Sequence, residues 1–213
     1  MRQPPLTFTD DYFEIAHNPD TGRARLNPVA LGLGLAAGLL CEQIVDGWIV
    51  VSDGVVHPLR HREVPGESLQ RRVYDLICAE PARLSIDDWL RYLSRGAHHR
   101  VGVRMVHVYG YQAETVRTGL LRRPVRVYLP VDPGRAAYTA VRLRNAVQEA
   151  GVRHDDIVAV ALAVATELSE HIVLWDDEFP PGLLPSLFKK LPDPVWEVLT
   201  RTQVSVARHV MTH

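Results

Sequence analysis

The chain has 213 residues, 46% hydrophobic and 23% charged, with a formal net charge of −1. This length and composition fit one soluble domain with a sizeable core, spanning residues 1–213, and exclude a disordered or coiled-coil chain. The near-zero charge excludes the global basicity of many nucleic-acid-binding proteins, and two cysteines are too few for a disulfide scaffold.

The spacing of hydrophobic residues and the positions of Gly, Pro and capping residues predict a mainly α, compact single-domain helical bundle with small β-hairpins. Residues 8–16 are either a short strand or a helical turn, and residues 101–110 are ambiguous between helix and strand. Two β-branched runs around Asp53-Gly54 predict a hairpin with a type I′ turn. Hydrophobic stripes and capping residues predict helices over 28–45, 69–79, 86–94, 133–150, 154–174 and 195–211. Residues 183–191 form a short apolar segment. The long apolar stretch from Ile157 to Leu174 predicts the central helix.

No segment is predicted to span a membrane. The longest apolar run, residues 29–41, has 13 residues, whereas a spanning helix needs about 20. The first residues also lack the apolar stretch of a secretory signal. We therefore expect a cytoplasmic protein that reaches a membrane only from the side.

Three glycines, Gly32, Gly34 and Gly38, superficially resemble a dinucleotide-binding loop. That fingerprint requires a preceding strand and a helix that starts at the glycines. Here Asn27-Pro28 precedes them and they lie inside an apolar helix, so close helix packing is the preferred interpretation.

No residue set indicates catalysis, a cofactor or a metal, because no Walker loop, HExxH, GxSxG or CxxC motif occurs. The pairs His98-His99 and His57/His61 are interpreted as surface histidines and Asp176-Asp177-Glu178 as acidic loop surface. Cys41 and Cys78 are interpreted as core thiols.

The basic middle segment of the chain is its most distinctive feature. Residues 100–144 carry nine arginines against Glu114 and Asp132, a net charge of +7. Its predicted hairpin arm combines cations with exposed apolar residues, namely Arg117, Leu120, Leu121, Arg122, Arg123 and Arg126. This composition fits an anionic membrane surface, a nucleic-acid patch, or a solvated hairpin that packs its apolar side on the core.

An ordered set of segments resembles the Golgi phosphoprotein 3 family, in its bacterial branch, over about residues 8–211. It comprises Asp10-Asp11, Asp20-Thr21-Gly22-Arg23, Leu35 to Glu42, Gly47-Trp48-Ile49, Pro65 to Leu69, Trp89-Leu90 and Gly119-Leu120-Leu121. The resemblance implies a mostly helical, non-enzymatic peripheral membrane protein. Such proteins bind phosphatidylinositol 4-phosphate through one Trp and several Arg, use a β-hairpin for membrane contact and self-association, and recruit client proteins.

The family's lipid pocket is only half matched by this sequence. The family's Trp falls at or beside Leu26 or Asn27, and its following Arg falls near Leu35 or Ala36. Its pair of Arg falls in the stretch that holds Arg100 and Arg104, which are therefore the candidate headgroup-binding residues. General attraction to anionic phospholipid needs charge rather than a fitted pocket, and it survives these differences.

Two hypotheses follow. The first is a cytoplasmic, peripheral phospholipid-binding adaptor with no cofactor, whose arm contacts the membrane and also serves self-association. The second is a soluble regulator that binds protein or nucleic acid through residues 100–144, although the net charge disfavours nucleic acid. The sequence does not identify the client protein.

Overall fold

The computed structural model describes residues 4–59, 68–118, 123–148, 153–168 and 182–211. Within these ranges it contains eight helices and two separate two-stranded antiparallel sheets. The helices are α1 (Phe8–Ile15), α2 (Pro28–Val45), α3 (Leu69–Ala79), α4 (Ile86–Tyr109), α5 (Pro133–Gln148), α6 (His154–Ala165), α7 (Leu183–Phe188) and α8 (Asp193–Val210). The strands are β1 (Ile49–Ser52), β2 (Val55–Pro58), β3 (Gln112–Thr118) and β4 (Arg123–Leu129). The mainly α fold with small β-hairpins is confirmed.

Helix α2 is the centre of the bundle. It begins at Asn27, whose side chain accepts hydrogen bonds from the backbone N–H groups of Val29 and Ala30. Helices α1, α3, α4, α6 and α8 all pack against it, as does strand β1. Its length and hydropathy would suffice to cross a membrane, yet 78% of the segment is buried inside the protein. That burial is typical of a core helix.

The three glycines of α2 provide close contact with neighbouring helices, as the sequence indicated. A Cβ at Gly34 would stand 2.2 Å from the Tyr12 hydroxyl on α1. A Cβ at Gly38 would stand 2.7 Å from the Thr9 hydroxyl on α1, and one at Gly32 2.7 Å from the Ser94 carbonyl on α4. Real side chains do not approach so closely, so only glycine lets α1 and α4 pack at these distances.

The first hairpin has the predicted turn. Asp53 and Gly54 both have positive φ, 51° and 73°, as a type I′ turn requires. The pairing of Ser52 with Val55 leaves these two residues as the loop.

Two helices differ in length from the sequence prediction. Helix α4 continues through the ambiguous residues 101–109 to Tyr109, and Gly110 in the left-handed conformation ends it. The helix predicted to reach Leu174 instead ends at Ala165, because Glu167 has a positive φ of 60°. Residues 169–174 lie outside the described residues. Helix α6 is buried but is not the centre of the fold, which is α2.

Residues 8–16, left open between strand and helix, begin with helix α1. A capping box fixes its start, since Thr7 accepts from the Asp10 backbone N–H and the Asp10 carboxylate accepts from the Thr7 N–H. Every residue of α1 is buried, including Asp10, Asp11 and Glu14. A helix with three buried acids needs cations from elsewhere in the fold.

Candidate functional site: a basic hairpin arm and a cleft beside it

Strands β3 and β4 form a hairpin arm that projects from the helical bundle. They pair only with each other, from Gln112 opposite Leu129 to Thr118 opposite Arg123. Among the described residues of the two strands, the buried ones lie at the base of the arm, at Val127 (1% exposed) and Tyr128 (1%), whereas Val125 further out is 42% exposed. The arm therefore extends into solvent beyond its base. The alternation of residues 125–131 predicts one strand of the arm, with residues 118–121 as its partner. The structure has β4 at Arg123–Leu129 and begins the partner strand earlier, at Gln112.

One face of the arm carries two exposed arginines. Because Arg117 pairs with Pro124 and Thr115 pairs with Arg126, Arg117 and Arg126 lie diagonally on the same face. Among the described residues neither forms an ion pair, and Arg126 packs over the Tyr128 ring at 5.9 Å from the centroid. Both guanidiniums are available to an external anion. Leu120, Leu121, Arg122 and the side chain of Arg123 lie outside the described residues.

Tyr128 fastens the base of the arm to the bundle. Its ring fills the space above Gly102 of α4, where a Cβ would stand 2.2 Å from the ring. It contacts Phe13 and His98 edge-on, and its backbone N–H donates to the Gly22 carbonyl at 3.2 Å. The position of the arm is thus fixed by packing on α1 and α4.

Beneath Tyr128 lies a histidine pair that sequence reasoning missed. The Nε2 atoms of His17 and His98 are 3.0 Å apart, and the two rings stack with centroids 5.1 Å apart. His17 Nδ1 donates to the Phe13 carbonyl at 2.7 Å, so its Nε2 must accept the proton of His98 Nε2. His98 is half-buried in this pair, which corrects its interpretation as one of two surface histidines.

Both imidazoles of this pair are held neutral. Burial lowers the pKa of His17 to about 3 and that of His98 to about 4. Each ring also lies near a second histidine, His98 for His17 and His99 for His98, and the repulsion between two protonated rings lowers the pKa further. The pair is a neutral hydrogen-bonded contact at neutral pH.

Three arginines of the basic middle neutralise the acids of α1. Arg104 of α4 lies 2.7 Å from Asp10, Arg142 of α5 lies 2.7 Å from Asp11, and Arg135 of α5 lies 3.1 Å from Glu14. Arg142 also pairs with the buried Asp156. These arginines stabilise the fold, so the surface of residues 100–144 is less basic than the sequence suggests. The sequence offered no signal for these pairs.

A cleft of about 860 Å³ lies between α3, α4 and residues 4–7. Its walls are largely apolar, formed by Pro4, Pro5, Leu69, Val73, Leu76, Val103, Val108 and Tyr109. Three arginines line it, Arg72, Arg100 and Arg104, together with His99 and His107. The cleft thus brings together both candidate headgroup residues and adds Arg72, which the sequence did not single out.

The two candidate headgroup residues differ in what they contact. Arg104 is 9% exposed and is held by both Asp10 and Glu42, at 2.7 and 3.4 Å. Arg100 is half-buried and donates only to the Leu93 carbonyl, at 3.4 Å, among the described residues. Arg72 is exposed and has no ion-pair partner there. Arg100 and Arg72, rather than Arg104, are free to meet an anion.

The family model of Golgi phosphoprotein 3 (GPP34) matches residues 9–178. The chain belongs to the Golgi phosphoprotein 3 family. No curated protein sequence matches the chain.

Family membership gives the mismatched pocket positions a structural explanation. Where the family has a Trp, this member has Leu26, which is 9% exposed, and Asn27, which caps α2. Where the family has the next Arg, this member has Leu35 and Ala36, both fully buried in the core. In this Golgi phosphoprotein 3 family member those positions therefore serve the packing and capping of α2.

The remaining sequence candidates carry no chemistry in the described part of the chain. There, no group of three or more His, Cys, Asp or Glu is placed to hold a metal ion. Cys41 is buried and Cys78 half-buried, and neither forms a disulfide. Burial raises the pKa of the Cys41 thiol, which suits a core residue. The cluster Asp176-Asp177-Glu178 and His61 lie outside the described residues.

Proposed function

We propose that this family member is a non-enzymatic, cytoplasmic peripheral membrane protein that binds anionic phospholipid through the arm. The observation that carries the proposal is the pair Arg117 and Arg126 on one face of a projecting hairpin, without ion-pair partners among the described residues. Membership of the Golgi phosphoprotein 3 family supports it. An adaptor role, in which the bound protein recruits a client, follows from the same membership.

The arm has the chemistry that an anionic bilayer surface attracts. Arginines near such a surface contribute about 1 kcal/mol each, and two leucines that leave water add about 1.5–3 kcal/mol each. The described face holds Arg117 and Arg126, and the sequence adds Leu120, Leu121 and Arg122 between the two strands and Arg123 at the start of β4. Binding should be micromolar and salt-sensitive, because exposed charges are screened beyond about 8 Å at physiological ionic strength.

Sedimentation with liposomes of graded anionic lipid content tests this function. One variant replaces the four arm arginines, at positions 117, 122, 123 and 126, by Ser, and another replaces Leu120 and Leu121 by Ser. We expect the Arg variant to lose most binding to anionic liposomes at low salt, and the Leu variant to bind more weakly at both low and high salt.

A control variant removes the same charge elsewhere. It replaces four exposed arginines off the arm by Ser, at positions 83, 91, 95 and 153. If the control loses as much binding as the arm variant, net charge and not the arm determines affinity. If the parent instead retards mixed DNA in electrophoresis and ignores liposomes, the soluble nucleic-acid-binding alternative holds.

We propose separately that the protein recognises phosphatidylinositol 4-phosphate specifically and that Arg100 contacts its head group. It predicts tighter binding to liposomes that contain this lipid than to liposomes of equal charge without it. Self-association through the open strand edges of the arm predicts a mass in analytical ultracentrifugation that falls when the arm is shortened.

A further inference from the structure

The cleft between α3 and α4 has a volume of about 860 Å³, within the range of small-molecule sites. None of the described residues that line it belongs to the arm. The arginines that line the cleft differ in whether they have an ion-pair partner. Arg72 comes from α3 and Arg100 from α4, and neither has an ion-pair partner among the described residues. Both residues line the cleft, so an anionic group that enters it can meet a cation from either helix.

The other charged residues of the cleft are already compensated. Asp75 lies 2.9 Å from Arg71, and Arg104 lies between Asp10 and Glu42. Two carboxylates facing one guanidinium leave no cationic charge at Arg104 for a ligand. Among the described lining residues, an anion would therefore find two arginines without an ion-pair partner, Arg72 and Arg100, which suits a head group of one or two charges.

The other lining residues favour the binding of a hydrocarbon chain. The cleft is lined by Leu69 and Leu76 from α3, by Val103 and Val108 from α4, and by Pro4 and Pro5. A highly charged soluble ligand would leave this apolar surface in water, whereas an aliphatic chain would bury it.

We propose that the cleft binds a single-chain anionic amphiphile, a ligand with one acidic head group and one aliphatic chain. The head group lies between Arg72 and Arg100, and the chain runs along the α3–α4 wall. Long-chain carboxylates and alkyl phosphates share this chemistry.

Isothermal titration calorimetry tests the proposal with dodecyl phosphate and dodecanoate, each below its micelle-forming concentration. We expect one ligand per chain for whichever head group fits, and at least tenfold weaker binding of uncharged dodecanol. Arg72→Gln/Arg100→Gln should weaken binding at least tenfold. The wall variant Val103→Asn, at a half-buried position, should also weaken it. Circular dichroism verifies that each variant is folded.

The matched control is Arg83→Gln/Arg95→Gln, which removes the same charge from exposed positions outside the cleft. It should bind dodecyl phosphate within threefold of the parent. Equal weakening by the two double variants would overturn the proposal. So would binding of inositol 1,4-bisphosphate or inorganic phosphate as tight as that of dodecyl phosphate, since those ligands have no chain.

The outcome is separable from that of the proposed function. The variant with four arm arginines replaced should bind dodecyl phosphate like the parent, and the Arg72→Gln/Arg100→Gln variant should still sediment with anionic liposomes. Loss of dodecyl phosphate binding in the arm variant would place the ligand at the arm and overturn the cleft proposal alone. Loss of liposome binding by the parent, with dodecyl phosphate binding intact, would defeat the proposed function alone.

Discussion

Gly34 shows how tightly single residues determine the contact of α1 with α2. A Cβ at this position would lie 2.2 Å from the Tyr12 hydroxyl, which donates a buried hydrogen bond to Thr166 at 3.1 Å. Gly34→Ala should therefore cost about 1–3 kcal/mol of unfolding free energy through overpacking, and about 1 kcal/mol more if that hydrogen bond breaks. Urea unfolding measures the loss.

Gly134→Ala is the control for this substitution. The nearest atom to a Cβ there is the Asp132 carboxylate at 3.2 Å, the end of a flexible side chain. Because Ala favours a helix over Gly, we expect no loss of stability. Equal destabilisation at both positions would contradict the close-packing explanation of the α2 glycines.

The neutral pair of His17 and His98 makes stability depend on pH. An unfolded His takes up a proton near pH 6.5, whereas the folded pKa of His17 is about 3 and that of His98 about 4. The unfolded state therefore binds more protons below pH 6.5, and stability falls as the pH drops towards 4. For His17 alone the loss at pH 5 is about 2 kcal/mol.

His17→Phe isolates this contribution in urea unfolding at pH 7 and pH 5. We expect the variant to lose about 2 kcal/mol less than the parent over this interval. The comparison is needed because Asp11 acts in the opposite direction. Burial raises its pKa to about 6 from 3.8, so its protonation favours the folded state as the pH falls. An unchanged pH dependence in the variant would show that His17 is protonated in the folded protein.

For single residues, the sequence correctly predicted features that depend only on residues close to them in the chain. The Asp53-Gly54 turn and the Asn27 cap are local features, and both were correct. The contact of His17 with His98 joins residues 81 positions apart, and no local pattern could reveal it. His98 was assigned to the surface because its nearest histidine in sequence is His99.

At the scale of elements, α1 depends on arginines from two other helices. Arg142 compensates both Asp11 and Asp156, which are 5% and 7% exposed at their side chains. Arg142→Met removes the cation and leaves two buried carboxylates without it, so we expect a loss of about 3–5 kcal/mol at pH 7. Urea unfolding measures it.

This loss should shrink at lower pH. The pKa of Asp11, already raised to about 6, rises further without Arg142, so the variant binds a proton on folding and regains stability between pH 7 and 5. Arg153→Met is the control, since Arg153 is 69% exposed and its pair with Asp155 contributes little. A variant of Arg142 that is as stable as this control would contradict a structural role for the buried pairs.

Two helices show why the sequence could not predict the length of every element. Residues 101–109 are rich in β-branched residues, and Gly102 lowers helix propensity further. They are helical because Val101, Met105 and Tyr109 bury one stripe and Tyr128 fills the space above Gly102. Helix α6 ends early because Glu167 adopts a left-handed conformation that no residue pattern announces.

At the scale of the whole molecule, the arm is separable from the fold. Glu114 and Val127 are directly opposite, so residues 115–126 can be replaced by Asn-Gly as a two-residue turn. The buried base at Val127 and Tyr128 is retained. We expect a melting temperature within a few degrees of the parent, an unchanged helical circular dichroism spectrum, and loss of liposome binding.

The parent and a second shortened variant, with Gly-Ser in place of Asn-Gly, control for the turn itself. If the shortened proteins sediment with anionic liposomes like the parent, the membrane contact lies elsewhere on the surface.

The candidate site was predictable only in part. Sequence composition located the arm, because charge and alternation are local properties of residues 112–129. It could not show that Arg104, Arg135 and Arg142 are engaged inside the protein, since their acidic partners lie on α1. Nor could it place Arg72 and Arg100 in one cleft, because the cleft exists only once α3 packs near α4.

The ion pairs of α1 also constrain how the chain is assembled during its synthesis. The three acids of α1 pair with arginines that lie much later in the chain, at positions 104, 135 and 142. The last of these cations is synthesised only after two thirds of the 213 residues. Until then, docking α1 against α2 would bury uncompensated carboxylates. Helix α1, although synthesised before its partner arginines, therefore docks late, and nascent chains that end before Arg142 should leave it accessible to proteases.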